Sequence, residues 1–518
     1  MVAIHRKQLY ILPMLLLLFC LWGCAKRVEA PTEPGPTETV PATTQATATE
    51  PTPVAETNPL ELVEELTVVV TEQDISQLED YPNLKRLDLT GSTCYDAIAA
   101  YMAVHPQVEV TYTLSLGETT VSNTDNEVTL AAGTYDYLTL ANILPYLPEL
   151  TTLNLPNCHL YSYEMAALLE HFPSLDFAYT VEILGKEYDR TTKELNLSSI
   201  RPEQVEEVST PLGLLFQLEH VELMTTGGQS RLNKAEVKQL VDAVPHANFH
   251  YVFSLYGRKI ATTDERVEFK NYNIGDKGET ELRAALDIMT GCTYFKLDNC
   301  KLSNTVLDTL RDDYRDKGIK IVWRVYFGQY GKYNALTDTE KIRAVYNVSD
   351  KNVEPLRYCE DVKYIDMGHN DYLTNLSFLG YMPNLEILIV SGCGVKDLSG
   401  IENCKKLEFA ELAYCGYLKD ISPLAGCEGL KNLNLSYTKV SNLLPLDGLP
   451  LERFICVKSQ VAPAEQEIFM AIHPDCWTRF LGSQPYGIGW RYDDNGVTYS
   501  EIYRKVRDIF GYDDMPVE

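Results

Sequence analysis

The chain of 518 residues carries 13 cysteines, nine histidines and 73 acidic side chains, the groups from which a reactive centre would have to be built. Their spacing offers little chemistry. No glycine-rich loop opens a helix to cradle phosphate, no strand-turn-helix elbow presents a nucleophile, and no helical histidine pair is expected to hold a metal. The stretch Asp493-Asp494-Asn495-Gly496 has oxygen ligands and a glycine but no distal glutamate, so it reads as a turn rather than a calcium loop. No catalytic residue, metal or cofactor is therefore expected. Three features remain, a thiol at Cys24, an aromatic C-terminus and a run of short repeats, and each depends on the element that positions it.

Arg6 and Lys7 precede an apolar run from Leu9 to Leu21, and Gly23-Cys24 follows, which is the layout of a secretory signal with a small residue before its cut. Leu21-Trp22-Gly23-Cys24 resembles the signal of bacterial lipoproteins, which implies a signal peptide over residues 1–23 and diacylglycerol on the thiol of Cys24. An uncleaved signal anchor is the alternative, although the run is shorter than the ~20 residues that span a bilayer. From Pro31 to Pro59 the chain is almost entirely Pro, Thr, Glu and Ala without apolar periodicity, so residues 24–59 are expected to form a disordered spacer. Lipid and spacer together imply a body held on the outer face of a bacterial cytoplasmic membrane.

Periodicity organises the rest. From Val362 to Ser459 an apolar residue recurs at positions 1, 4 and 6 of a repeat and a small or polar residue at position 9, as in Val362, Ile365, Met367 and Asn370. The copies start at Val362, Leu385, Leu407, Leu430 and Leu451, 21–23 residues apart. Alternation at positions 4 and 6 puts those side chains on one face of a short strand, while position 9 can hydrogen-bond backbone where the chain turns away. The pattern resembles the leucine-rich repeat, and Leu418-Lys419-Asp420-Ile421-Ser422-Pro423-Leu424 is similar to the short repeats of internalin-type surface proteins.

Residues 60–345 hold the same signature in longer form, starting at Leu84, Leu150, Leu218 and Cys292. An amphipathic helix is expected after each, clearest at Val237, Leu240, Val241 and Val244, with Asn233 and Glu236 as its capping box. Each helix leads to a strand ending at Gly117, Gly185, Gly257 or Gly328, where the chain is expected to turn a β-hairpin into a second apolar run such as Val128–Leu130 or Ile342–Val345. The expected fold is thus α/β, a leucine-rich-repeat solenoid with a curved parallel strand ladder and inserted β-hairpins and helices. Long units occupy 60–345, regular ones 346–460, and 461–518 forms a C-terminal cap.

Cysteines follow this register. Cys158, Cys300, Cys393 and Cys415 occupy position 9, while Cys359, Cys404 and Cys427 each precede position 1 by three residues, as small buried ladder residues would. A disulfide between neighbouring rungs such as Cys404 and Cys427 is left open.

A net charge of −28 disfavours nucleic acid and anionic lipid as partners. Positions 3 and 5 face outward from the strands, and there Tyr364, Ile387, Ile389 and Phe409 form an apolar patch beside Asp366 and Glu411. Left uncovered, that patch is a contact surface for a protein or glycan partner, with the two acids steering a basic one. Coverage of the patch by flanking chain is the alternative. The expected role is an extracellular, membrane-anchored binding module, an adhesin or envelope scaffold. The alternative is a cell-envelope or polysaccharide hydrolase using the aromatic stretch around Trp490 and Tyr492.

Overall fold

The computed structural model describes residues 58–131, 135–155, 160–493 and 495–512. Two units divide the chain, Met1–Leu62 and Val63–Glu518. Of the first, a 3₁₀ turn at Pro59–Leu62 is described; Cys24, the signal segment and nearly all of the spacer lie outside the described residues.

Four modules build the N-terminal part of the second unit. In each, three strands pair in parallel and register: Glu65–Thr67, Arg86–Asp88 and Glu109–Thr111 in the first, Arg266–Lys270, Tyr294–Asp298 and Lys320–Phe327 in the fourth. Helices make the crossovers, as parallel pairing requires. Tyr95–Val104 connects the last two strands of the first module, and Lys234–Ala243 those of the third. The latter starts on the expected capping box: Asn233 Oδ1 accepts from the Ala235 and Glu236 amides at 2.8 and 3.2 Å, and Glu236 Oε2 accepts from the Asn233 amide at 2.7 Å.

Hairpins close each module at Gly117, Gly185, Gly257 and Gly328, all with φ between 61° and 80°, a conformation open to glycine at little cost. The return strands are not the second apolar runs. They are the short segments Thr119–Ser122, Lys186–Asp189, Arg258–Ala261 and Tyr333–Leu336. Val128 instead opens the next module, pairing with Leu153, and Ile342 opens the regular ladder. A return strand needs only alternation against its partner, whereas a rung needs apolar contact with the core, so the stronger apolar run went to the rung.

The ladder contains seven parallel strands in one register: Lys341–Arg343, Tyr364–Asp366, Ile387–Ile389, Phe409–Glu411, Asn432–Asn434, Arg453–Ile455 and Trp477–Arg479. Inward residues such as Ile365, Leu388, Leu433 and Phe454 are fully buried. Opposite the strands the turns before the last are only long enough for a 3₁₀ segment, as at Ser377–Tyr381 and Ser422–Gly426, whereas the last carries the helix Pro463–Ile472. Position 9 does satisfy backbone. Asn370 Oδ1 accepts from the Val348 amide at 2.8 Å while its Nδ2 donates to the Ala344 and Met367 carbonyls at 2.9 and 2.7 Å. Cys393, Cys415 and Thr438 donate to Met367, Val390 and Leu435 at 3.1, 3.3 and 2.7 Å. This register, with buried positions 1, 4 and 6 and a backbone-bonding position 9, is a leucine-rich-repeat-like fold.

Cys404 and Cys427 are buried and unbridged, each donating to a carbonyl of the preceding rung. Burial pushes both thiols, and that of Cys393, up to about 12, where they are poor nucleophiles. Cys158 lies outside the described residues. The last rung repeats the design of the first module: His105 and His473 each end a helix, their rings 4.4 and 4.5 Å from Tyr101 and Phe469, before a parallel strand begins.

Candidate functional site

Two outward columns run down the ladder, at positions 3 and 5. Ile387 and Phe409 are completely buried, Ile389 is 6% exposed, and Tyr364 is half-buried. The expectation of an open apolar contact surface is therefore corrected. Its cover is the chain's own C-terminal segment, which lies across the outward strand face as well as following the last rung.

Local sequence explains why this segment docks there. Helix Glu501–Phe510 starts on Ser500, whose hydroxyl accepts from the Tyr503 amide, and it carries Tyr503, Val506 and Phe510 on one face. An isolated helix of ten residues is marginal in water, so that face must find apolar surface. It finds Ile387, Ile389, Phe409, Ile455 and Val457, which together with Trp490 form a second core separate from the one inside the ladder. Trp490 stacks on Phe409 with ring centres 4.6 Å apart. Trp490 is fully buried, so it is a core side chain and not an open aromatic face for a sugar.

Polar contacts fix the edges of this cover. Asn434 Nδ2 donates to the Pro485 carbonyl at 2.9 Å, Arg453 to that of Gly489 at 3.1 Å, and Lys341 to that of Ile509 at 2.7 Å. Both acids expected at an exposed rim are also enclosed. Asp366, 4% exposed, accepts from the Tyr512 hydroxyl at 2.9 Å and pairs with Arg343 at 3.4 Å. Glu411, 3% exposed, accepts from the Trp490 indole and, at 2.8 Å, from the Ser391 hydroxyl. An enclosed carboxylate cannot steer a diffusing partner as a solvated one does, because its field is spent on its own partners.

Burial raises the Glu411 carboxyl above its ordinary value of 4.5, against the opposing pull of Arg491 and the hydrogen bonds from Trp490 and Ser391; Asp366 adds to the rise. The folded state then holds this proton more readily than the unfolded one. Stability from protonated Glu411 is fully present below the ordinary value of 4.5 and is lost as pH rises through the raised folded value. Glu411→Gln keeps an acceptor for Trp490 and removes that proton. Urea unfolding across this window should show wild-type stability falling with pH relative to the variant, and parallel profiles would refute the assignment.

The cover leaves a cleft of about 810 Å³ between the ladder and the C-terminal segment. Asp366 and Glu411 form part of its floor, Arg343, Arg491 and Arg507 enter it, and Tyr346, Tyr414, Tyr486, Tyr503 and Tyr512 supply ring surface. Its size falls in the ~300–1,000 Å³ range of small-ligand sites. A smaller hollow of about 540 Å³, lined by Asn347, Asp371 and Tyr372, shares Tyr346 and His369 with it.

Position 8 of the repeat accounts for one wall, and sequence reasoning missed it. Tyr346, His369, Gly392, Tyr414, Tyr437 and Lys458 all have φ between 58° and 70°. Only glycine adopts that backbone freely, and other residues cost roughly 1–2 kcal/mol each. Tyr346 stacks on His369 at 5.4 Å and Tyr414 on Tyr437 at 4.5 Å, on either side of Gly392. The recurrence of aromatic residues two places after position 6 was visible in the sequence. Their clustering was not, because it depends on the shared left-handed turn.

Among the described residues no group of three or more His, Cys, Asp or Glu side chains is placed to hold a metal ion. His246 and His250 are four residues apart, but the strand Asn248–His250 intervenes and His250 Nδ1 meets Glu222 at 2.8 Å. Asp494 lies outside the described residues, and the Gly496 amide donates to the Asp493 carbonyl at 2.9 Å in a tight turn.

No family model and no curated protein matches the chain. Solved structures resemble it loosely. An internalin from Listeria monocytogenes is 17% identical over 70% of this chain and 84% of its own, with a TM-score of 0.26. A leucine-rich-repeat protein from Leptospira interrogans is 17% identical over 82% and 97%, with a TM-score of 0.28. A complex of TLR13 with single-stranded RNA gives 14% identity over 83% and 61%, and a TM-score of 0.23. Superpositions this loose add nothing to what the strand register establishes.

Proposed function

We propose that this protein is an extracellular binding module, tethered to the outer face of a bacterial cytoplasmic membrane by lipid on Cys24. It acts as an adhesin or envelope scaffold that recognises a protein or glycan partner through the cleft between its repeats and its C-terminal segment. One observation carries this reading. The apolar residues of the outward face are packed beneath the C-terminal segment, while Arg343, Tyr346 and Tyr414 stay exposed around a cleft of about 810 Å³. A surface meant only for stability would be closed along its whole length. The order of Leu21-Trp22-Gly23-Cys24 supports the anchor.

Hydrolysis is the second reading, since Asp366 and Glu411 line one cleft and two carboxyl groups are the usual machinery of glycosidases. Both carboxyls are, however, tied to neighbouring side chains in the resting protein. Incubating the full-length protein with purified cell envelopes and polysaccharide separates the readings. Retention without soluble products, weakened by Tyr414→Ala, is expected; released products would establish a hydrolase. In cells, labelled palmitate should enter the wild-type protein and not the Cys24→Ala variant, and failure of wild-type labelling would remove the anchor.

A further inference from the structure

We propose that the cleft binds an acidic saccharide, its carboxylate gripped by the Arg491 guanidinium and its sugar rings laid against the tyrosines of the rim. This rests on the binding reading above and names its ligand class.

Arg491 is the unusual group of the cleft. Its guanidinium lies between two tyrosine rings, 4.3 Å from the centre of Tyr486 and 5.3 Å from that of Tyr503. Stacking holds the plane of the fork without using its hydrogen bonds. Among the described residues its buried Nε has no hydrogen-bond partner and no carboxylate forms a salt bridge with it. Glu411, the acid that attracts it most directly, has one oxygen occupied by Trp490 and the other by Ser391. Asp366 is engaged by Tyr512 and Arg343. A guanidinium held in plane by two rings and not bonded to a carboxylate is complementary to a planar anion that accepts two parallel hydrogen bonds, which describes a carboxylate.

The rest of the lining indicates what carries that carboxylate. Ile389 and Val345 are the aliphatic side chains of the wall, and apart from Gly368 the remainder is charged, hydroxylated or aromatic. A sugar presents hydroxyls to charged groups and its apolar ring face to an aromatic plane, and this wall supplies both. Tyr346 and Tyr414 stand at the rim, 56% and 45% exposed, held in the left-handed turn that brings position 8 into a column. A ligand bridging them to Arg491 would use every unusual feature of the cleft.

Calorimetric titration of the full-length protein tests this. The probes are trigalacturonate and a hyaluronan tetrasaccharide, each beside its counterpart with the carboxyls reduced to alcohols, and triglutamate as the peptide control. At least one acidic saccharide should bind at least tenfold more tightly than its reduced form and than triglutamate. Arg491→Gln should remove that tenfold preference, and Tyr346→Ala, at an exposed site where folding is not at stake, should weaken acidic and reduced forms alike. Equal binding of acidic and reduced saccharides, binding of neither, or triglutamate binding as tightly would overturn the proposal. If envelope retention then persisted and still depended on Tyr414, the binding reading would stand and the ligand class alone would fall.

Discussion

Phe409→Ala should destabilise the protein by about 3–5 kcal/mol, the usual cost of removing a large aromatic side chain from a packed interior. At a solvated position the same change costs within about 0.5 kcal/mol. The difference arises because Phe409 is fully buried and stacked on Trp490, so truncation removes transfer energy and leaves a cavity between two elements that cannot both close on it. Urea unfolding should place Phe409→Ala beside Leu412→Ala, a truncation at a completely buried inward position. Loss of stability near zero for Phe409→Ala would mean that the C-terminal segment leaves the ladder in solution. In that event the outward face would be an open contact surface.

A chain ending before Gln484 should keep the parallel ladder and lose its solubility. The core inside the ladder contains none of the covering residues, so the repeats retain their packing and their circular dichroism. Removing the segment exposes Ile387, Ile389 and Phe409 on adjacent rungs and Ile455 and Val457 beyond the intervening Asn432–Asn434 rung, apolar surface of the kind soluble monomers avoid. It also strips Glu411 of its Trp490 donor and leaves a carboxyl at the edge of that surface. Light scattering should show self-association, and a hydrophobic dye should bind the truncated chain and not the intact one. A monodisperse truncated protein without dye binding would show that the segment is dispensable as a cover.

Where apolar residues occupy the outward columns, the chain supplies its own partner. Arg343, Asp366, Ile389 and Glu411 of the position-5 column line the cleft. The strain stored at Tyr346, His369 and Tyr414 lies on the wall of that cleft, whereas several other left-handed residues of the fold are asparagine or glycine, which accept the conformation more cheaply.

Sequence alone determined the repeat. Spacing of 21–23 residues, apolar positions 1, 4 and 6 and a backbone-bonding position 9 follow from one physical demand, that each rung bury its inward face on its neighbours, and each rung states that demand locally. Helix faces such as Val237, Leu240 and Val241, the Asn233 cap and the hairpin glycines are equally local, and the structure places them where their chemistry requires. Only the tertiary structure decided which strands the hairpins return on and what covers Ile387 and Phe409. Both Tyr503-Val506-Phe510 and the outward patch were legible as apolar surfaces lacking a partner. That they satisfy each other is a contact between residues roughly a hundred positions apart, which no local period encodes. The same docking turned two expected steering acids into buried ones and brought Arg491 between Tyr486 and Tyr503, because the cleft exists only where two distant segments meet.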